Sequence, residues 1–201
     1  EQTPNPRGGK IVRDENGIAT GLLRETAQNL SASALASSRS NLTEEDVFNQ
    51  MSEQVELAAE EALRHGITSF HDAGSNFSTI DLYKKLEQKK ALPIRLYVMI
   101  QGENNERLEL NLKKYYSPYQ ENDFLTVRSI KAQLDGALGS HGAWLLQPYT
   151  DLPESSGLVL KPLPILKKTA ELALSYGFQL NTHAIGDRAN QEILNLYENA
   201  V

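Results

Sequence analysis

The chain has 201 residues, of which 40% are hydrophobic and 23% charged, and its formal net charge at pH 7 is −6. This balance is ordinary for a soluble domain and disfavours nucleic acid and anionic membrane partners, because both are bound through basic patches. Cysteine is absent, which excludes a disulfide scaffold and thiolate metal sites. No apolar run reaches the roughly 18 residues of a membrane-spanning helix, and the compartment stays open between cytoplasm and bacterial periplasm.

Residues 1–42 are predicted to form an N-terminal segment of loop, hairpin and linker. Turn residues between two short apolar runs predict a hairpin with strands at Lys10–Arg13 and Ile18–Leu22. A short helix is expected near Leu22–Leu30. The Ser- and Ala-rich stretch Ser31–Ser40 is typical of a flexible linker.

The second predicted segment, residues 43–201, alternates helix and strand. Helices are predicted at 43–65, 78–90, 103–116, 163–176 and 187–199. Strands are predicted at 67–70, 94–100, 125–134 and 178–183. Short connections and intervening helices imply parallel strands and an α/β fold. The last strand carries Gln179, Asn181 and His183 on one face, which suits a barrel interior better than a sheet with two apolar faces.

Lys131 is the central candidate for chemistry. Alternation along its strand puts Lys131, Gln133 and Asp135 on one face and apolar residues on the other. A lysine in a shared interior is costly unless it is paired, neutralised or modified. It could be a Schiff-base nucleophile, a CO2-carboxylated lysine that bridges two metal ions, or a structural lysine paired with Asp135 or Asp72.

Other polar residues follow the carboxyl ends of predicted strands, where parallel α/β folds keep their chemistry. His183 could be a zinc ligand, a general base or a buried, hydrogen-bonded histidine. His71 and Asp72 could be a ligand pair, a ligand with its supporting carboxylate, or a hydrogen-bonded strand end. His141 could contact substrate from the long loop 136–162 or be exposed to solvent. Asp187 is expected to cap the last helix rather than bind a metal.

Five stretches together resemble the amidohydrolase superfamily, specifically amidohydrolase family 3, the YtcJ-like metal-dependent hydrolases. They are Gly21–Ala27, His65–Gly74, Ile130–Ser140, Pro148–Asp151 with Gly157 and Leu158, and Leu180–Ala189, in the family's order. The stretches around Lys131 and His183 are the specific ones. The resemblance implies a (β/α)8 TIM barrel beside a small β-sandwich, in which the predicted strands are about barrel strands 2 to 5.

The resemblance also implies roles for individual residues. Lys131 matches the lysine that is typically carboxylated and bridges the metals, and His183 matches the metal-binding histidine of the next strand. The implied cofactor is a divalent metal, expected to be zinc. The implied reaction is attack of metal-activated water on an amide- or formamide-type C–N bond of a small molecule. Asp72, His71, Asp135, His141 and Asp187 are then candidates for supporting the ligands or contacting substrate.

Two departures from the family's pattern stand out. His141 occupies a position where the family commonly has arginine. The family's ligand set also needs a His-x-His motif, a further histidine and an aspartate, which the four histidines of this chain do not complete. Since a whole barrel needs about 250 residues, the chain is interpreted as an internal piece of a longer enzyme, inactive alone.

The exposed strand edges of such a piece predict a homo-oligomer. Two alternatives stay open at this point. One is a non-catalytic half-barrel interaction module, and the other is a Schiff-base aldolase that uses Lys131.

Overall fold

The computed structural model describes residues 3–6, 9–25, 27–38, 41–120 and 123–200. The chain divides into two compact units, residues 1–50 and 51–201. The sequence-based division after residue 42 stays a prediction.

The first unit contains a hairpin and a helix. Strands β1 (Gly9–Arg13) and β2 (Ala19–Glu25) pair in antiparallel fashion, which confirms the predicted hairpin. Helix α1 (Gln28–Ser38) follows. The predicted helix near Leu22–Leu30 is confirmed only over residues 28–30, because residues 22–25 belong to β2. The predicted linker Ser31–Ser40 is wrong over residues 31–38, which are helical, while residues 26, 39 and 40 lie outside the described residues.

Helix α2 (Glu44–Arg64) begins with a capping box formed by Thr43 and Asp46. The backbone N–H of Thr43 donates to Asp46 Oδ2 over 3.0 Å, and the N–H of Asp46 donates to Thr43 Oγ1 over 3.1 Å. The Thr43 hydroxyl also donates to Asp46 Oδ2 over 2.6 Å, and the two hydrogen bonds that Thr43 donates, from its hydroxyl and from its backbone N–H, hold the pKa of Asp46 below its ordinary value. Gly66, with φ of 75°, follows the end of the helix in the left-handed region that glycine adopts at no steric cost.

The second unit is built on a four-stranded parallel sheet with strands in chain order. The strands are β3 (Ser69–Ser75), β4 (Arg95–Ile100), β5 (Leu125–Gln133) and β6 (Gln179–His183). The helices are α3 (Phe77–Gln88), α4 (Asn105–Tyr115), α5 (Leu163–Ser175) and α6 (Asp187–Glu198). The predicted parallel α/β architecture is confirmed.

The first parallel strand differs from its prediction, which placed it at residues 67–70. The observed β3 starts at Ser69 and continues through His71 and Asp72 to Ser75. Within the described sheet β3 is an edge strand, paired only with β4, and most of its side chains are exposed. Polar residues are therefore tolerated inside this strand at little desolvation cost.

One face of the sheet packs against the helices and forms the core. Leu96, Val98 and Ile100 of β4 alternate into this core. At the end of β5 the core is a cluster of Ala132, Leu134, Leu166, Ala170, Ala189, Ile193 and Leu196. Since side chains alternate along a strand, the residues between the buried ones point to the opposite face, which carries the polar residues of interest.

Among the helices in the described part of the chain, none has both the length and the apolar character that a membrane crossing requires.

Candidate functional site

Lys131 and His183 lie on the same face of neighbouring parallel strands. The register of β5 and β6 places Lys131 opposite Asn181 and Gln133 opposite His183. The two candidates are therefore offset by two residues on adjacent strands, about 8 Å apart between Cα atoms from standard strand spacings. Both are partly buried and close to the carboxyl end of the sheet.

A cleft of about 920 Å³ opens at this end of the sheet, and Lys131 lines it. Its walls come from the segments that follow β3 and β4, from the end of β5, and from the first turn of α4. Its polar lining residues are Asn76, Gln101, Glu103, Asn104, Asn105, Glu106, Lys131, Gln133 and Lys161. His183 lies on the strand beyond Lys131 and is not part of this lining.

Within the described residues, the side chain of Lys131 forms no ion pair and no hydrogen bond, so the predicted pairing with Asp135 or Asp72 is wrong. The reason is that other groups occupy both carboxylates. Asp72 accepts hydrogen bonds from Ser75 Oγ at 2.5 Å and Tyr83 OH at 3.1 Å. The carboxylate of Asp135 is enclosed by backbone N–H groups. Lys131 is thus a partly buried lysine that lines the cleft.

Asp135 positions the loops that follow the two site strands. Its side chain is fully buried, and its oxygens accept hydrogen bonds from the backbone N–H groups of Trp144 (2.8 Å), Ile185 (3.0 Å) and Gly186 (2.8 Å). His183 Nε2 is 4.0 Å from Asp135 Oδ1, too far for a hydrogen bond. Asp135 therefore ties the segment after β5 to the turn after β6 and leaves His183 free to face other groups.

A second carboxylate, that of Asp187, joins the same two segments. Its Oδ1 accepts hydrogen bonds from the backbone N–H of Leu146 and of Arg188, each over 2.8 Å. The N-cap of α6 is Gly186, and Asp187 is the first residue of the helix. The prediction of Asp187 as the cap is corrected accordingly, since its carboxylate holds the loop after β5 as well as the first turn.

His71 and Asp72 lie inside β3 rather than at its end, and their side chains contact neighbouring residues of the fold. The imidazole of His71 stacks on Tyr97 of β4, with ring centroids 4.9 Å apart. Burial, with the neighbouring charge of Asp72 as a further cause, raises the pKa of Tyr83 to about 12. The carboxylate of Asp72 thus links β3 to α3 through the Tyr83 hydroxyl.

His141 forms a hydrogen bond with Asp151 in the long loop, with Nε2 3.0 Å from Oδ2. The hydrogen bond from His141 lowers the pKa of Asp151. The ring also packs edge-on against Tyr149, with centroids 4.8 Å apart. His141 is therefore neither fully exposed nor among the residues that line the cleft.

The residues present supply part of a metal site. Among the described residues, no group of three or more His, Asp or Glu side chains is arranged to hold a metal ion. The imidazole of His183 is a suitable donor, whereas the ammonium of Lys131 has no lone pair and becomes an oxygen donor only if it is carboxylated. The described residues thus fit two donor positions and not a complete metal site.

Sequence reasoning missed three polar residues of this face. Gln101 follows β4 and Lys161 ends the long loop, and both line the cleft. Ser129 lies on β5, fully buried, and its Oγ has no hydrogen-bond partner among the described residues. The position of Gln101 just after a strand was a usable signal, because residues there carry chemistry in parallel folds. No local pattern marked Lys161.

The fold and the site first define a class of protein. Two solved structures, described as uncharacterized metal-dependent hydrolases from Pyrococcus horikoshii OT3 and Pyrococcus furiosus, superpose with TM-scores of 0.68 and 0.69 at 26% and 27% identity. The superpositions cover 93% and 94% of this chain, but only 36% and 37% of the two hydrolase chains. The α/β unit is part of a TIM-barrel-type fold, as predicted.

The sequence model of the Amidohydrolase family matches residues 1–201 of this chain. The chain therefore belongs to this family. It is 31% identical to the putative amidohydrolase YtcJ of Bacillus subtilis (strain 168) and 30% identical to the protein LONG AFTER FAR-RED 3 of Arabidopsis thaliana. Each alignment covers 98% of this chain, but only 35% and 34% of the relatives. The chain spans about a third of the length of these curated relatives.

Proposed function

We propose that these residues belong to the catalytic barrel of a metal-dependent hydrolase that cleaves a non-peptide C–N bond, of amide or formamide type, in a small molecule. The observation that carries the proposal is the placement of Lys131 and His183 on one face of neighbouring strands, at the carboxyl end of the sheet. Family membership and the two metal-dependent hydrolase structures support it.

In this proposal His183 contributes an imidazole nitrogen to the metal site and Lys131 contributes carbamate oxygens after reaction with CO2. Among the described residues Lys131 has no carboxylate partner, which supports this role, because an ion pair would compete with carboxylation. Asp135 keeps the ends of β5 and β6 in fixed register through its backbone hydrogen bonds. A bound divalent metal, with zinc the first candidate, would lower the pKa of a water molecule and polarise the substrate carbonyl.

We also propose that the 201 residues alone do not hydrolyse the substrate. Catalytic zinc usually has three protein ligands and an open position for water. His183 and a carboxylated Lys131 supply two ligand side chains, so the remaining ones would come from parts of a longer protein. Metal binding by the 201-residue chain is accordingly expected to be weak.

The test uses the protein in its full natural length. We expect wild-type protein to contain a divalent metal and to show a mass increase of one CO2 by intact mass spectrometry under native conditions. Lys131→Met should lose the CO2 increment, the metal and the hydrolysis of formamide-type substrates. The matched control is Lys167→Met, which removes an exposed lysine of α5 and should retain all three properties.

A wild-type protein with neither bound metal nor a CO2 adduct would overturn the proposal. The amine of Lys131, which is without a partner in the described part of the chain, also satisfies the first requirement of a Schiff-base aldolase. Borohydride reduction in the presence of a keto substrate separates the two functions. We expect no covalent adduct at Lys131 in the hydrolase, whereas reductive trapping there would favour the aldolase.

A further inference from the structure

We propose that a second cavity, at the amino end of the parallel sheet, binds a phosphate group. This cavity has a volume of about 320 Å³, and its lining includes Ser69, Arg95, Tyr119, Asp123, Thr126 and Arg128. In the described chain, no residue lines both this cavity and the cleft around Lys131. The inference therefore goes beyond the proposed function and does not depend on it.

The cavity and the cleft lie at opposite ends of the sheet. Ser69 and Arg95 are the first residues of β3 and β4, and Thr126 is the second residue of β5. The cleft is lined instead by residues at or beyond the carboxyl ends of these strands, among them Gln101. Arg95 and Gln101 are six residues apart, which corresponds to about 20 Å along a strand. A ligand in the cavity is therefore remote from the proposed reaction centre.

The guanidinium group of Arg95 is held in place by an aromatic ring. Its central carbon lies 4.7 Å from the centroid of the Phe124 ring. Phe124 is itself anchored, because its carbonyl accepts from the N–H of Leu96 over 2.7 Å and its N–H donates to Glu87 Oε1 over 3.0 Å. A guanidinium group that stacks on a ring keeps its in-plane N–H donors available for an oxyanion.

Arg128 adds a second guanidinium group from the neighbouring strand. The register of β4 and β5 shifts by one residue between Val98 and Met99, which makes Arg128 the extra residue of a β-bulge. Bulges interrupt strand pairing and redirect side chains, and they are frequent beside active sites. In the described part of the chain, neither the Arg95 nor the Arg128 side chain forms an ion pair or a hydrogen bond. Both are therefore available to a ligand.

The rest of the lining also favours an anion. Ser69, Thr126 and Tyr119 contribute hydroxyl groups. The segment that carries Tyr119 is fixed to β5, because the backbone N–H and C=O of Ser117 exchange hydrogen bonds with Val127 over 2.8 and 2.7 Å. Among the described lining residues, two guanidinium groups face a single carboxylate, that of Asp123. The resulting positive charge favours an anionic ligand.

A phosphate group suits these donors better than a carboxylate does. One guanidinium group can engage both oxygens of a carboxylate through paired hydrogen bonds. Two guanidinium groups and the neighbouring hydroxyls are better matched by phosphate, which presents additional oxygens. Tyr119, which is 65% exposed, offers its ring for stacking with an aromatic group joined to that phosphate.

The test is a calorimetric titration of protein of full natural length with phenyl phosphate and with inorganic phosphate. We expect phenyl phosphate to bind, and Arg95→Met and Arg128→Met each to weaken its binding at least about tenfold, the effect of one charge-assisted hydrogen bond. Asp123→Asn should tighten binding about threefold, because it removes a negative charge from the cavity. Arg64→Met is the matched control, since it removes an exposed arginine at the end of α2 and should leave the affinity unchanged.

Absence of binding of both phosphates at millimolar concentration would overturn the inference, as would an affinity that is unchanged in both arginine variants or in Asp123→Asn. A phosphate bound elsewhere, for example to a metal ion, would keep its affinity in both arginine variants. Tighter binding of phenyl phosphate than of inorganic phosphate would identify an organic phosphate as the ligand, and equal binding would identify the free ion.

Thermal unfolding checks the fold of each variant. The tighter binding expected for Asp123→Asn cannot result from partial unfolding, so this variant decides the outcome if an arginine variant does not fold.

Discussion

Lys131 and Asp135 are four residues apart in the sequence, yet the structure uses them in opposite ways. The carboxylate of Asp135 is buried and fully compensated by backbone N–H donors from two loops. Lys131 lines a cleft, and its amine has no partner among the described residues. A buried charge is stable only when it is satisfied. The same stretch therefore contains one residue that organises the site and one that is available for chemistry.

The first prediction concerns Asp135→Asn. An asparagine side chain has one acceptor oxygen in place of the two oxygens of the carboxylate. At least one backbone N–H among those of Trp144, Ile185 and Gly186 therefore loses its hydrogen-bond acceptor. An unsatisfied buried donor costs about 1–3 kcal/mol. We expect the free energy of unfolding in urea to fall by about that amount.

The control for this variant is Asp151→Asn, in the long loop. The side chain of Asp151 is 74% exposed and contacts His141 at the surface, and an exposed pair of this kind contributes little to stability. Equal losses of stability in the two variants would contradict the special role assigned to Asp135.

The second prediction concerns Gly186→Ala, in the turn between β6 and α6. A Cβ at Gly186 would lie 1.8 Å from the carbonyl oxygen of Trp144, so the backbones must separate. Overpacking of this kind costs roughly 1–3 kcal/mol. Gly139→Ala is the matched control, because a Cβ there meets nothing within 4 Å. We expect calorimetry to show a lower melting temperature for Gly186→Ala and an unchanged one for Gly139→Ala. A lower melting temperature for Gly139→Ala than for Gly186→Ala would refute the close approach of the two backbones.

At the residue scale, sequence reasoning predicted the face of Lys131 and His183 because alternation along a strand is a local property. It did not predict the function of Asp135, whose partners are 9, 50 and 51 residues away. Those partners are backbone N–H groups, which every residue except proline offers. No side-chain type in the sequence could therefore identify them.

At the scale of elements, the strands and helices of the second unit were predictable because their apolar periodicities are strong. Helix α1 of the first unit was not predictable in this way. The helix α1 buries none of its described residues, so no apolar stripe marked it, although alanine is the best helix former. Its serines also satisfy local carbonyls, as Ser31 Oγ does by donating to Gln28 over 2.8 Å. Composition therefore suggested a linker where a helix exists.

The third prediction is a pH effect on the link between β3 and α3. The folded state favours the neutral form of Tyr83, because its pKa is raised from 10.0 to about 12. The contribution of this hydroxyl is fully present below pH 10 and is lost as the pH rises to about 12. We expect a loss of about 1 kcal/mol, since Tyr83 is only partly buried and solvent screening reduces the effect.

The measurement for Tyr83 is a difference between two proteins. The free energy of unfolding is determined for wild type and Tyr83→Phe below pH 10 and then in steps to about pH 12. The difference should shrink over this interval, because the variant lacks the titrating hydroxyl. A difference that stays constant with pH would show that the environment of Tyr83 does not favour its neutral form.

At the scale of the whole second unit, the sheet ends at β3 on one side and at β6 on the other in the described chain. Both strands therefore present backbone N–H and C=O groups along one edge. Phe70 on β3 is 49% exposed and adds apolar surface near this edge. Open edges with apolar side chains favour pairing with another chain.

The last prediction is that the 201-residue chain self-associates through these edges. Sedimentation velocity over a concentration series should show an association equilibrium that reverses on dilution. Phe70→Lys places a charge on the edge strand and should shift the equilibrium toward the monomer. Leu110→Lys is the control, because Leu110 is 75% exposed on α4, which connects the two central strands. A single monomeric species at every concentration, or an equal shift in both variants, would show that the sheet edges do not drive association.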